Sequence, residues 1–317
     1  MRAGIDLGGT KIQTVVIDES RELRGQARLP TPKSGGPQDV ADAMAESVRQ
    51  AAAEASVEPA ELSGVGVGSP GVIDADRGTV SSARNLPDWE GEFPLGEALS
   101  AALEPGRVRI DNDVNVATTA EFELGAGRAY SSLLGVFWGT GVGGGIILDG
   151  QPWLGRGAAA EIGHMVVRIG GAHCPCGREG CMEAYAGRGA MEARARHRRQ
   201  KGEKTALFSI MEKRGRERLT SGIWARALEA EDKLAGELLD EAVEALGAGV
   251  ASALNVLDVE AVVLGGGLGL RLGEPYRARI EHAILPHLFS SADPPPLLLA
   301  ELGDLGGAIG AALLVES

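Results

Sequence analysis

Three cysteines and one histidine restrict this chain more than any other feature. Glu161-Ile-Gly-His164 is followed by Cys174-Pro-Cys176-Gly-Arg-Glu-Gly-Cys181-Met-Glu183, and every cysteine of the 317-residue sequence lies in that stretch. A Cys-x-Cys pair, a third Cys five residues on and a His ten residues upstream supply a Cys₃His set. Such a set closes a tetrahedral zinc site, and four protein ligands leave no position for water, so the spacing predicts a structural zinc ion. Three thiols buried as small hydrophobes are the alternative. Pro175, Gly177, Arg178, Glu179 and Gly180 are not core-strand residues and weigh against it.

Two carboxylates flank the cluster. Glu161 precedes His164 by three residues, one helical turn if Ala158-Ala159-Ala160 is helical, and Glu183 follows the last cysteine by two. A metal holding His164 and Cys181 would fix both acids near one another as acceptors for a polyhydroxylated ligand. Taken singly, each also reads as a solvated surface glutamate.

A chain of this length with 44% hydrophobic residues can bury more than one core, so two domains are expected. The net charge of −13 argues against nucleic acid as the main partner. No apolar run reaches the roughly eighteen residues of a membrane span, and Asp6 interrupts the only candidate signal peptide. Clustered cysteines, odd in number and at metal spacing, fit a reducing compartment. A soluble, cytoplasmic protein is therefore expected.

Strands are read at 2 to 6 and 12 to 18, joined by a glycine hairpin at Leu7-Gly8-Gly9-Thr10, and an alanine-rich helix at 37 to 55 opens with Pro37 in its first turn. Strands at 64 to 68 and 107 to 111 run into Ser69-Pro70-Gly71 and Asp111-Asn112-Asp113, and a helical pattern follows from Val114 to Leu124. Residues 133 to 138 read as a strand, Gly139 to Gly145 as a loop and 146 to 148 as another strand. Strand, glycine loop, strand thus occurs twice, a hint of duplication. Helices are expected at 183 to 200, 234 to 256 and 306 to 315, and a strand at 260 to 264 ends in Gly265-Gly266-Gly267. Alternating strands and helices give an α/β class without a flexible linker.

Several loops suit phosphate. Asp6-Leu7-Gly8-Gly9-Thr10-Lys11 offers open backbone N–H groups, a hydroxyl and an ammonium, with Asp6 suited to a water-bound Mg²⁺; an ordinary hairpin tolerates the same composition. Gly139, Gly141 and Gly144 form a formal G-x-G-x-x-G, yet a strand rather than a helix is expected next, so a dinucleotide fingerprint is rejected. A second hairpin cradle for phosphate is the reading kept. Gly265 to Gly267 would let a base or ribose lie against backbone, or form a plain strand-to-helix turn. Asp113, at a helix start, is either a cap or a general base for a substrate hydroxyl. Residues 188 to 218 carry eleven Lys or Arg against four Glu, either a solvated face or a polyanion surface.

Assembled in order, these pieces resemble the sugar kinases of the ROK (repressor, open reading frame, kinase) family, most closely its bacterial glucokinases. The resemblance rests on Asp6-Leu-Gly-Gly-Thr-Lys11, Ser69-Pro-Gly71, Asn85 with Trp89, Asn112-Asp113-x-Asn115, Gly139-Thr-Gly-Val-Gly-Gly-Gly145, Glu161-Ile-Gly-His164, the three cysteines with Glu183, and Gly265-Gly-Gly267. It implies an actin-like, hexokinase-like ATPase fold: two α/β domains with duplicated ribonuclease H-like cores and a central cleft. Residues 1 to 110 plus 300 to 317 would form the small domain, and 111 to 299 the large domain with the zinc site.

The resemblance also implies ATP-dependent phosphorylation of the 6-hydroxyl of a hexose, glucose first, with Asp113 as catalytic base. Gly71, Asn85, Asn112, Asp113, Glu161, His164 and Glu183 would contact sugar. Asp6, Gly8, Gly9, Thr10, Lys11, Gly139, Thr140 and Gly141 would serve phosphate and Mg²⁺, and Gly265, Gly266 and Gly267 the adenosine. His164, Cys174, Cys176 and Cys181 would hold zinc, His164 reaching sugar through its other ring nitrogen. A homodimer or homotetramer without nucleic-acid or membrane partners is implied as well. Phe137-Trp138 depart from the family's Thr and small aliphatic residue, and Val114 from its usual Ala. Kinases for other hexoses or N-acetylhexosamines, and polyphosphate as donor, stay open. A sugar-responsive repressor is disfavoured by the net charge and by a loop that begins at Asp6, leaving no room for a helix-turn-helix before it.

Overall fold

The computed structural model describes all residues except Arg84, Asn85, Ser291 and Ser317. In chain order the first strands are β1 (Arg2–Leu7), β2 (Lys11–Ile17) and β3 (Leu23–Pro30), then helix α1 (Pro37–Glu54) and strand β4 (Val65–Ser69). The hairpin β5 (Val72–Asp74) and β6 (Thr79–Ser81), helix α2 (Leu95–Leu103), strand β7 (Val108–Asn112) and helix α3 (Asp113–Leu124) follow. Next come strands β8 (Leu133–Trp138), β9 (Val142–Leu148) and β10 (Gln151–Pro152), and helices α4 (Met182–Ala186), α5 (Arg188–Gln200), α6 (Leu207–Lys213), α7 (Ser221–Glu229) and α8 (Lys233–Leu257). Strand β11 (Ala261–Gly265), helix α9 (Gly269–Ile284), strand β12 (Leu297–Leu299) and helix α10 (Gly306–Leu313) complete the chain.

One sheet has the order β3-β2-β1-β4-β7, with β1, β2 and β3 antiparallel and β4 and β7 parallel to β1. The other has the order β10-β9-β8-β11-β12, with β8, β9 and β10 antiparallel and β11 and β12 parallel to β8. The two sheets therefore share one topology, strand for strand, and the duplication hinted at by two glycine loops is a property of the fold.

The chain divides into two compact units. The first comprises Met1–Arg128, Leu154–Gly157 and Glu301–Ser317, and the second Ala129–Trp153 and Ala158–Ala300. The first unit thus continues past the boundary expected near residue 110. Helix α3 stays with it because α10 packs closely on α3: a Cβ on Gly310 would lie 1.8 Å from the Val116 carbonyl oxygen. The same helix of small residues rides on the sheet, where a Cβ on Gly66 would meet the Ala311 oxygen at 1.7 Å. Glycine in the middle of β4 is the condition for that approach.

Within the first unit, α1 buries Val40, Met44, Val48 and Ala51 completely, the i, i+4 stripe expected of a helix on a sheet. In the second unit α8 starts at Asp232, whose carboxylate accepts from Ala235 N–H at 2.8 Å, and buries Leu234, Leu238, Ala242 and Leu246. Among the described residues no helix is long and apolar enough to cross a membrane.

Candidate active site

In the first unit the β1–β2 hairpin closes over three residues, Gly8, Gly9 and Thr10, with Gly8 N–H donating to the Lys11 carbonyl at 2.9 Å. Thr31 Oγ1 donates to the Gly8 carbonyl at 2.6 Å and holds the turn from one side, while Gly9 and Thr10 stay exposed. Burial pushes the Asp6 carboxyl up to about 6; Lys11 pulls it down and Asp304 pushes it up again. Lys11 is committed to an ion pair, its Nζ 3.3 Å from Asp304 Oδ2.

Gly71 follows β4 with φ +103°, and a Cβ there would lie 2.6 Å from the Ser81 carbonyl, so glycine is required. Asn85, one of the expected sugar contacts, lies outside the described residues. At the end of β7 the cap of α3 falls to Asn112, whose Oδ1 accepts from Val114 N–H at 2.9 Å and Asn115 N–H at 3.3 Å. Asp113 is the first helical residue and accepts from Val114 N–H at 3.0 Å. Asp111 braces this start, its Oδ1 taking Asn115 Nδ2–H at 3.1 Å and Asn112 N–H at 2.6 Å; burial nonetheless raises its pKa.

In the second unit the expected loop from Gly139 to Gly145 contracts to a three-residue turn, Gly139-Thr140-Gly141, with Gly139 N–H donating to the Gly141 carbonyl at 3.0 Å. Gly143, Gly144 and Gly145 belong to β9 and pair with β8. A Cβ on Gly144 would meet the Ala160 carbonyl and Ile162 Cγ1 at 2.7 Å, so the glycine lets the segment before His164 lie against the strand. No helix follows these glycines, in keeping with the rejected dinucleotide fingerprint. After β11, Gly265-Gly266-Gly267 turns into α9 with Gly266 at φ +82°, packed against the Trp138 main chain.

Phe137 stands against Gly265, where its ring would be 2.6 Å from an added Cβ. Trp138 is wholly buried and donates Nε1–H to the Ala186 carbonyl at 2.6 Å. The departure at 137 and 138 thus divides: Trp138 is core, and Phe137 flanks the strand end that carries Gly265.

The metal cluster assembles as expected. The ligand atoms of His164, Cys174, Cys176 and Cys181 all lie within 4.8 Å of one another. Cys176 and Cys181 sulfurs are 3.7 Å apart, and Cys174 Sγ is 3.7 Å from His164 Nδ1. Ligands about 2.3 Å from a shared tetrahedral ion stand about 3.8 Å from each other, whereas a disulfide requires about 2.0 Å, so the donor set fits zinc. Burial opposes ionisation of Cys176, yet hydrogen bonds from Arg178 and the neighbouring thiols bring its pKa down to about 6, the thiolate a metal needs.

Nδ1 faces the cysteines, and Nε2 of the same ring lies 3.9 Å from Glu161 Oε2. Ala158–Ala160 is a turn with Ala160 at φ +62°, not a helix, and Glu161 precedes the short 3₁₀ segment Ile162–His164. A left-handed residue cannot continue an α-helix, so the pairing of Glu161 with His164 comes from the tighter turn. Glu183, one residue into α4, accepts from Val142 N–H at Oε2 at 2.8 Å and so ties the segment after the Cys/His cluster to the Gly139–Gly141 turn. The helix expected at 183 to 200 breaks at Gly187, and Arg188 opens α5 beside the same turn, donating to Thr140 Oγ1 at 2.8 Å. Arg188 and Asp111 were not among the expected site residues. Arg188 is hidden in a basic run whose other members are mostly solvated, and Asp111 by its place at a strand end.

The ROK family model matches residues 2–317. The chain belongs to the ROK family. A curated glucokinase of Thermotoga maritima is 30% identical over 321 residues, 99% of this chain and 96% of that protein. An N-acetylgalactosamine kinase of a Shewanella species is 34% identical over 323 residues, again 99% of this chain and 96% of the relative. Among solved structures, a ROK family glucokinase from Streptomyces griseus in complex with glucose and AMPPNP is 31% identical, covers 99% of this chain and 98% of its own, and superposes with a TM-score of 0.83. This ROK protein is therefore a sugar kinase, and its two α/β units are the duplicated cores of the actin-like, hexokinase-like fold.

Proposed function

We propose that this ROK sugar kinase transfers the γ-phosphoryl group of ATP to the 6-hydroxyl of a hexose, with glucose as the first substrate to try. The observation that carries the reading is the division of labour at α3. Asn112 takes the capping duty, so the adjacent carboxylate of Asp113 is not needed as the cap, and the first turn of the helix favours its anion. An ionised carboxylate there suits a general base: it accepts the hydroxyl proton as the sugar oxygen attacks phosphorus, the bond to the bridging oxygen breaks and ADP leaves.

Gly71, Asn85, Asn112, Glu161, His164 and Glu183 are proposed as sugar contacts. Asp6, Gly8, Gly9, Thr10, Lys11, Gly139, Thr140 and Gly141 are proposed for the phosphates, and Gly265 to Gly267 for the adenosine. Mg²⁺ bound with ATP would neutralise the charge on the transferred group. Zinc held by His164 and the three cysteines would keep the imidazole and Glu161 in register. Glucose is favoured by the Thermotoga and Streptomyces relatives; the N-acetylgalactosamine kinase, at slightly higher identity, is the reason to test acetylated sugars beside it.

Polyphosphate is the alternative donor to test beside ATP: Arg194, Arg196, Arg198, Arg199 and Arg218 of the 188 to 218 segment are ion-paired, while its lysines show no ion pair among the described residues. The test is a coupled assay of glucose, mannose, fructose, allose and the two N-acetylhexosamines with MgATP or polyphosphate, together with Asp113→Asn. Glucose should give the highest kcat/KM with ATP, and the variant should bind sugar yet fall about a thousandfold or more in kcat. A higher kcat/KM for an acetylated sugar removes the glucose assignment, and wild-type-like turnover in the variant removes Asp113 as base.

A further inference from the structure

Arg188 stands apart from the ion-paired arginines around it. Arg194, Arg196, Arg199 and Arg218 pair with Glu241, Glu192, Glu212 and Glu192 respectively, and Arg198 pairs with both Glu203 and Glu237. Arg188 donates instead to two hydroxyl oxygens, Thr140 Oγ1 at 2.8 Å and Ser221 Oγ at 3.0 Å, and among the described residues it forms no ion pair. Its main chain is fixed to the same place: Arg188 N–H donates to the Gly139 carbonyl at 3.2 Å and Gly189 N–H to the Thr140 carbonyl at 3.0 Å.

This cation is also half-buried. Burial lowers its pKa, Glu192 opposes the shift from a distance and Arg218 adds to it, and both Glu192 oxygens are engaged by Arg196 and Arg218. A partly desolvated charge held only by neutral hydroxyls is unfavourable unless an anion answers it. Its surroundings are arranged to receive one. Thr140 and Ser221 oxygens accept from the guanidinium, which leaves each hydroxyl proton to donate elsewhere. Glycines keep the space beside them open: a Cβ on Gly139 would have the Gly267 amide nitrogen at 3.9 Å as its neighbour, and one on Gly267 would have Ser221 Oγ at 3.9 Å.

We propose that Arg188, with the hydroxyls of Thr140 and Ser221, is a further donor-binding group that grips phosphoryl oxygens of the phosphate donor. A guanidinium suits this task because its planar fork donates two parallel hydrogen bonds, which a lysine cannot reproduce. The inference rests on the kinase reading with ATP as donor and adds to it a residue outside the glycine turns.

The experiment compares wild type, Arg188→Met and Arg188→Lys. Arg188→Met should raise KM for MgATP about ten- to a hundredfold, the effect of removing a charge-assisted contact, with KM for sugar within about twofold of wild type. Arg188→Lys should recover part of the loss. Inorganic tripolyphosphate, titrated by calorimetry into each protein, should bind wild type at least about tenfold more tightly than Arg188→Met. A purely structural clamp would lower the melting temperature and alter both substrates together; that pattern, or equal KM for MgATP in all three proteins, overturns the proposal. Should Arg188→Met fail to fold, Arg188→Lys decides alone: a KM for MgATP raised threefold or more at unchanged melting temperature supports it, and an unchanged KM refutes it. If wild type phosphorylates no sugar with MgATP, the donor assignment fails separately, and the tripolyphosphate titration still judges Arg188.

Discussion

Gly141→Ala isolates the contact between Glu183 and the turn at the end of β8. The backbone at 141 is outside the left-handed region, so alanine is not strained there. The added methyl group would instead lie 2.2 Å from Glu183 Oε2 and 3.1 Å from the carboxylate carbon. No carbon tolerates that distance, and the carboxylate, at the end of a flexible side chain, must swing away. The loss is then the hydrogen bond from Val142 N–H, 2.8 Å to the same oxygen. A bond to a charged acceptor contributes about 1.5–3 kcal/mol. Glu183→Ala removes the same bond from the other side. Each single variant should therefore lose about 2 kcal/mol of stability, and the double variant also about 2, rather than the 4 or so of independent effects. At roughly 2–4 °C per kcal/mol for a unit of this size, the melting temperature should fall by about 4–8 °C in all three proteins, read by circular dichroism. Losses in the two singles that add to within about 0.5 kcal/mol in the double would refute the shared-contact argument.

Three further outcomes follow from the geometry. Burial raises the Asp6 pKa from an ordinary 3.8 to about 6, so the folded state keeps a proton that the unfolded chain has released; stability should fall by up to about 3 kcal/mol as pH rises from 4 to 6. Asp6→Asn should flatten that slope and raise the melting temperature at pH 8 but not at pH 4, and a parallel pH profile in the variant would contradict it. Chelation of zinc, or Cys176→Ser, should lower the melting temperature and weaken sugar binding about tenfold through the released His164 ring, measured by titration calorimetry with and without restored Zn²⁺. Buried Glu121 accepts from Ala126 N–H at 3.1 Å, Glu301 N–H at 3.0 Å and Leu302 N–H at 2.9 Å. Glu121→Ala leaves three donors unmet, and a loss of about 3 kcal/mol or more in denaturant titration is expected.

The chain announced its chemistry more clearly than its joints. The Cys/His cluster, the two hairpin turns and the start of α3 are legible because cysteine spacing, glycine runs and capping residues have local causes. Strand β3 was not foreseen, since Arg24, Gln26 and Arg28 face outward from an edge and only Gly25 and Ala27 are buried. Alternation that weak carries little periodic signal. Helix α9 was obscured by Gly273 and Pro275, which break it internally. The wide glycine stretch after β8 looked like a loop because composition cannot tell a turn from a strand that must admit a neighbour's backbone. The break at Gly187 was equally silent, and with it went Arg188, which leaves the run to bond Thr140 and Ser221.

Because both sheets repeat one strand order, the hairpins at Gly8–Thr10 and Gly139–Gly141 are two copies of a single device. Residue for residue, Asp6 in β1 corresponds to Phe137 in β8, each two positions before its three-residue turn. The first hairpin has an acid there; the second has an aromatic ring and receives a guanidinium from α5. Two hairpins of one topology thus differ in electrical character, the first with a carboxyl at this position and the second with a guanidinium hydrogen-bonded to its turn.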